Sequence, residues 1–289
     1  MIEYVLAIDL GGTNIRVGIV DSNFKILHVL KERSIHNDAS SLINQIINMI
    51  NSLPYKDYDI EAIGVSSCGF IDNITIKQLF NLGISELELG KYLHLNFPTF
   101  PIYIVNDANA AALYEAYNQK RINDESILFL TISSGIGGGF VYQHKLIDLP
   151  FEVGHMLIEY QNKHYEVEHI LSGNGLVKFC ALNDYEIKDA SFFFEEVKNN
   201  NQKAKEILSQ YTYLLAIFIS NLHLLLNTDT IVLSGGMMKS SSLFIDELKN
   251  NLDTLLKPYP LKKINLVYAD HDQDAGLVGA AAVGFYYDK

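Results

Sequence analysis

The sequence predicts an α/β fold of two similar lobes around a central cleft. Three observations carry that prediction. Strand and helix patterns alternate along the whole chain. VLAIDLGGTNIRVGIV (5–20) and ILFLTISSGIGGGFVY (127–142) share one plan of apolar strand, glycine and hydroxyl turn, apolar strand. No low-complexity run or linker interrupts the pattern. A cleft between two such lobes is a common place for a small-molecule site.

The elements follow in order. Residues 3–9, 15–20 and 25–30 read as three strands joined by short turns. Residues 39–53 carry helical spacing through Leu42, Ile46, Met49 and Ile50. Strands are expected at 61–67 and 101–107, then an alanine-rich helix at 108–117. Strands at 127–133 and 138–143 flank the second glycine turn. Residues 203–226 read as a long helix with apolar positions Leu208, Tyr211, Leu215, Phe218, Leu222 and Leu225. A strand at 231–236 ends in glycines, and a small-residue helix at 275–285 closes the pattern.

Composition narrows the function. With 289 residues and 48% hydrophobic content, a sizeable core is available in one large domain or two ordinary ones. The net charge of −12 argues against nucleic acid as a partner. Cys68 and Cys180 have no paired spacing, which suits a reducing compartment. The opening MIEYVLAIDL has neither a basic leader nor a cleavage site. The longest apolar stretch, 213–226, is broken by Asn221 and His223 and is shorter than the ~18 residues of a membrane span. The expectation is a soluble, cytoplasmic protein with no membrane partner.

The glycine turns suggest phosphate binding. Glycine lets backbone N–H groups approach an anion closely, and Thr13, Ser133 and Ser134 add hydroxyl donors. Asp9 would repel a phosphate unless a cation lay between them, so Mg²⁺ held through water is the natural partner. Arg16 either supports this turn or pairs on the surface. No G-x-x-x-x-G-K-[ST] run occurs, and the glycines at 135–139 do not make a dinucleotide fingerprint. A third glycine turn, LSGGMM, lies at 233–238.

Together these turns resemble the phosphate and adenosine loops of the ROK sugar kinases, in the actin and hexokinase superfamily. Asp9-Leu10-Gly11-Gly12-Thr13-Asn14 is similar to their first phosphate loop, and 131–139 to their second. Ser234-Gly235-Gly236-Met237-Met238 is similar to their adenosine loop, and 274–281 to their closing segment. The ordered set covers nearly the whole chain. The resemblance implies a ribonuclease H-like, actin/hexokinase-type fold, with a smaller lobe of 1–106 plus 275–289 and a larger lobe of 107–274. It implies ATP and Mg²⁺, with Asp9, Gly11, Gly12, Thr13, Asn14, Ser133, Ser134, Gly135, Gly137, Gly235 and Gly236 around the nucleotide. The lobes would close on the sugar about crossings near 106–108 and 272–275.

The acceptor side rests on the same resemblance. A sugar hydroxyl is a poor nucleophile until a base takes its proton. The resemblance makes Asp107 that base, in VNDANAAAL (105–113) at the end of a strand; alone, Asp107 would read as a helix N-cap. Asn106 accompanies it, and Gly69 sits in the turn Ser67-Cys68-Gly69-Phe70. Asn81 matches the family's sugar-contacting Asn, Glu152 and His155 its Glu-x-Gly-His loop, and Glu168 a third sugar contact. The chain departs from the family after His155, because QNKHYEVEHI (161–170) has no cysteine. His155, His164, His169 and Glu166 fit no tetrahedral spacing, so no zinc is expected.

The expected activity is an ATP-dependent kinase acting on a sugar hydroxyl, with C6 and an unmodified hexose such as glucose first. N-acetylmannosamine is the alternative, since its kinases also lack a proline at the 67–70 turn. From another class, a non-catalytic sugar-binding protein or a repressor-derived one remains open. The repressors carry an amino-terminal helix-turn-helix, for which the loop at residue 9 leaves no room. Dimers are common in the family, so the resemblance allows a homodimer.

Overall fold

Alternation of side chains decides the first strand. The computed structural model describes residues 3–149, 151–270 and 274–288. In β1 (Tyr4–Leu10), Leu6, Ile8 and Leu10 enter one core and Val5 and Ala7 the other. β2 (Asn14–Asp21) and β3 (Ile26–Arg33) follow as antiparallel neighbours. α1 (Ala39–Asn51) starts where the Asp38 carboxylate accepts the Ser41 N–H at 3.0 Å. Its Leu42, Ile43, Ile46, Ile47, Met49 and Ile50 share the core of Leu6, Ile8 and Leu10. Burying those α1 side chains contributes on the order of 10 kcal/mol, far more than helix propensity could.

β4 (Ile60–Ser67) runs parallel to β1. The short strands β5 (Phe70–Asp72), β6 (Thr75–Leu79) and β7 (Ile84–Leu87) form a separate antiparallel sheet. After α2 (Leu89–Asn96), β8 (Ile102–Asn106) joins β4 in parallel and leads into α3 (Asp107–Tyr117). The main sheet has the order β3-β2-β1-β4-β8.

The second copy of the plan begins with β9 (Ser126–Ile132), β10 (Ile136–Tyr142) and the short β11 (Lys145–Leu146). A hairpin of β12 (Leu157–Tyr160) and β13 (Lys163–Glu166) comes next. Four helices follow: α4 (Val167–Leu171), α5 (Gly173–Leu182), α6 (Ala190–Lys198) and α7 (Gln202–Leu226). The chain continues through β14 (Thr230–Ser234), α8 (Ile245–Leu256), β15 (Asn265–Tyr268) and α9 (Ala275–Tyr286). This sheet has the order β11-β10-β9-β14-β15, with β14 parallel to both β9 and β15. Both sheets therefore join an antiparallel ribbon to parallel strands, as the internal echo predicts. α7 is long and apolar enough to cross a membrane, yet 67% of its most apolar window is buried in protein. Of its six expected apolar positions, Leu225 alone is exposed, one residue before the helix ends.

The chain forms two compact units. The first comprises Met1–Asn123, Gly139–Pro150 and His271–Lys289; the second comprises Asp124–Gly138 and Phe151–Asp270. The first division falls after α3 rather than at 106/107. The cause is packing: small residues on α3 and α9 let the helices meet, with Ala110 against Gly279. Of the crossing expected at 272–275, residues 272 and 273 lie outside the described residues.

Candidate active site

In the first unit, the sequence-derived residues gather at the carboxyl ends of the parallel strands β1, β4 and β8. Asp9 lies on the same face of β1 as Val5 and Ala7, so it faces α9. Its carboxylate occupies the space beside Gly276, in the first turn of α9, where any β-carbon would overlap it. Glycine is required there by that close approach. Burial pushes the Asp9 pKa up to about 6; the Arg16 charge opposes this and the Asp107 charge adds to it. Arg16, the cross-strand partner of Asp9, also reaches Asp274 at 3.2 Å. It thus both steadies Asp9 electrostatically and pairs at the surface.

The turn after Asp9 is tied down by its neighbours. The Gly11 N–H donates to the Asn14 carbonyl at 3.1 Å. The Ser34 hydroxyl donates to the Gly11 carbonyl at 2.8 Å, and the Ser34 N–H to that of Thr13 at 3.0 Å. Exposed Asn81 lies against Gly12, in a 3-10 turn over Phe80–Leu82. Asn106 caps α3: its side-chain oxygen accepts the Ala108 N–H at 3.0 Å, and its amide donates to the Gly69 carbonyl at 3.3 Å. Asp107 is the first helical residue and is exposed, with Oδ1 accepting the same Ala108 N–H at 2.8 Å. The N-cap is therefore Asn106, not Asp107. Cys68 lies nearby; burial first, then the charges of Asp107 and Asp9, push its thiol up to about 11. It stays protonated and inert at neutral pH.

In the second unit, the turns after β9 and β14 come together. Ser133, Ser134, Gly236 and Met237 line one cavity of about 510 Å³, with Gly173 at the start of α5 and the side chains of Lys188 and Lys239. The Gly173 N–H donates to the Ser133 carbonyl at 2.6 Å, which fixes the start of α5 on the serine turn. Gly235, at φ 96°, turns the chain in the left-handed region beside Ile132. A helix start, hydroxyl donors and two lysines, set against the one carboxylate of Asp189, suit this cavity to an anion.

Glu168 of α4 packs its carboxylate on Gly135 and accepts the Ile136 N–H at 2.8 Å. Glu152 precedes and His155 ends the short helical turn Val153–His155, whose Gly154 packs on the Ile136 carbonyl. The glycine turn, Glu152, His155 and Glu168 are thus neighbours. His155 Nδ1 lies 2.7 Å from Glu166 Oε2, and its Nε2 lies 3.9 Å from Glu152 Oε2. His169 Nε2 approaches the same Glu166 oxygen at 3.6 Å. Among the described residues, no group of three or more His, Cys, Asp or Glu side chains is arranged to hold a metal ion. Lys188 and Lys239 were not legible as site residues, because neither sits in a motif. Glu166 was legible only as an oxygen donor beside three histidines.

Residues 5–284 match the model of the ROK family. The chain belongs to the ROK family. It is 27% identical to the N-acetylmannosamine kinase of Salmonella typhi, with 96% of each chain covered. It is 28% identical to that of Vibrio cholerae, covering 96% of this chain and 97% of the relative. The ROK hexokinase of Thermus thermophilus superposes with a TM-score of 0.85 at 23% identity, covering 98% of both chains. A ROK glucokinase of Streptomyces griseus, in complex with glucose and AMPPNP, does so with a TM-score of 0.71 at 21% identity, covering 96% of this chain and 98% of that one. The fold of this ROK protein is accordingly the actin/hexokinase type that the family resemblance implies.

Proposed function

We propose that this ROK protein transfers the γ-phosphoryl group of ATP to a hydroxyl of a sugar. The observation that carries this reading is the state of Asp107. It is an exposed carboxylate at the start of α3, with capping taken over by Asn106, and it acts electrostatically on Asp9. A base for a bound hydroxyl needs this accessibility and a fixed position. The family match and the kinase relatives supply the rest of the support.

The residues fit Mg²⁺ and ATP. One carboxylate, Asp9, beside a turn of amides and the Thr13 hydroxyl suits a hard cation that keeps most of its water and shares phosphate oxygens. The cavity with Lys188 and Lys239 suits an anionic nucleotide. Bound Mg·ATP supplies the phosphoryl group. Asp107 accepts the hydroxyl proton as the new O–P bond forms and ADP leaves. Asn81, Asn106, Glu152, His155 and Glu168 bind and orient the sugar, with Gly69 setting the turn that holds Asn106. Most of the rate comes from positioning and charge stabilisation.

The acceptor is a hexose or N-acetylhexosamine. The N-acetylmannosamine kinases among the relatives, together with the proline-free turn at 67–70, support N-acetylmannosamine as the first acceptor to test, with glucose the alternative. A panel of both sugars, mannose and N-acetylglucosamine, with Mg·ATP and coupled detection of ADP, tests this. N-acetylmannosamine should give the highest kcat/KM; a higher value for glucose would restore the unmodified hexose. The cytoplasm is the proposed location, with small molecules as the partners.

A further inference from the structure

Glu166 is spent on none of the duties its position suggests. It stands at the N-cap of α4, yet its side chain makes no capping hydrogen bond. Its carboxylate turns instead to His155 Nδ1, at 2.7 Å. The hairpin sets this geometry. Gln161 and Asn162 form its two-residue turn, with φ of 51° and 60°, and the register pairs Tyr160 with Lys163 and Leu157 with Glu166. The Val167 N–H then donates to the Met156 carbonyl at 2.8 Å, locking Glu166 beside the His155 turn. A one-residue slip would send the Glu166 side chain to the other face of the hairpin.

From this arrangement we infer that Glu166 is a positioning residue for sugar binding: it holds His155 as an imidazolium whose Nε2–H donates to a sugar hydroxyl, while Glu152 accepts from that same hydroxyl. The inference rests on the reading that Glu152 and His155 meet the sugar. Nε2 and the Glu152 oxygen lie 3.9 Å apart, so one hydroxyl oxygen can stand between a donor and an acceptor. Two acceptors there would satisfy the hydroxyl poorly, which is why the ring must carry both protons.

The surrounding charges support the protonated ring. The groups facing it are Glu152 before the helical turn, Glu166 on β13 and Glu168 on α4; His169 of α4 and Lys178 of α5 act on Glu166. The Glu166 hydrogen bond raises the His155 pKa first of all, burial opposes it, and the Glu166, Glu168 and Glu152 charges add to the rise. A raised pKa keeps the imidazolium to higher pH. Sugar kcat/KM should therefore fall as pH rises through that pKa.

The test compares the wild type with Glu166→Gln, Glu166→Asp and His155→Ala in the full chain, each checked for folding by circular dichroism. Glu166→Gln should raise the sugar KM roughly 5- to 20-fold, with kcat and the ATP KM little changed. The alkaline fall in kcat/KM should move to lower pH, and Glu166→Asp should recover part of the loss. Nitrogen-15 NMR of the His155 ring in the sugar-free protein should show its pKa lowered by Glu166→Gln, which no merely structural role requires. If His155→Ala leaves the sugar KM unchanged, the underlying reading of His155 is wrong and the inference falls with it. If His155→Ala raises the sugar KM but Glu166→Gln shifts neither the pH limb nor the ring pKa, the inference alone is overturned.

Discussion

Asp9, the carboxylate proposed to face Mg·ATP, is buried at a cost to stability. Its folded-state pKa, about 6 against an ordinary 3.8, means that the folded chain binds the proton more tightly than the unfolded one between those values. Stability therefore falls as pH rises through that window, and above about 6 the ionised carboxylate is a standing cost. Asp9→Asn should stabilise the ligand-free protein at neutral pH by on the order of 1–3 kcal/mol, and the gain should shrink toward pH 4. Urea unfolding at about pH 7.5 and 4.5 checks this; a gain that is the same at both would count against the burial of Asp9. The residue was legible because an acid at a strand end before two glycines is chemically odd. The His155–Glu166 pair was less so, because side chains 11 positions apart meet only through the hairpin register.

At the scale of elements, what could be read followed length and periodicity. β1, β2, α1, α3, β9, α7 and α9 each show a sustained period or an alanine- or glycine-rich run, and all lie close to where the sequence puts them. The β5–β7 sheet and the β12–β13 hairpin carry no such signal. Their strands are three to five residues long and owe their pairing to tertiary context. α9 carries a consequence of its own. It was legible as a small-residue helix, but its role in seating Asp9 follows from the sheet alternation, which only the fold connects to Gly276. Gly276→Val should force the Asp9 carboxylate aside and lower kcat/KM for ATP by at least ~10-fold, as misplacement of a charged group does. Steady-state kinetics with ATP varied checks it; unchanged kinetics in a folded variant would detach α9 from the nucleotide site.

For the whole molecule, each unit buries its own apolar residues and carries its own share of the proposed site residues. The division after α3 was not legible, because the packing of Ala110 on Gly279 joins residues 169 positions apart. The family's cysteine ligands are missing from 161–170, so the purified protein should hold no tightly bound zinc. Elemental analysis showing about one zinc per chain would contradict that and make the histidines ligands. In the proposed reaction, Asp107 takes the proton of a sugar hydroxyl as the phosphoryl group of ATP moves to it. Sugar-dependent ADP release by the wild type and by Asp107→Asn, at saturating sugar and Mg·ATP, tests it most directly. Release by the wild type should require the sugar, and Asp107→Asn should lose at least ~10²-fold in kcat with sugar binding retained. No sugar-dependent release from the folded wild type, or a near-normal kcat in Asp107→Asn, would contradict it.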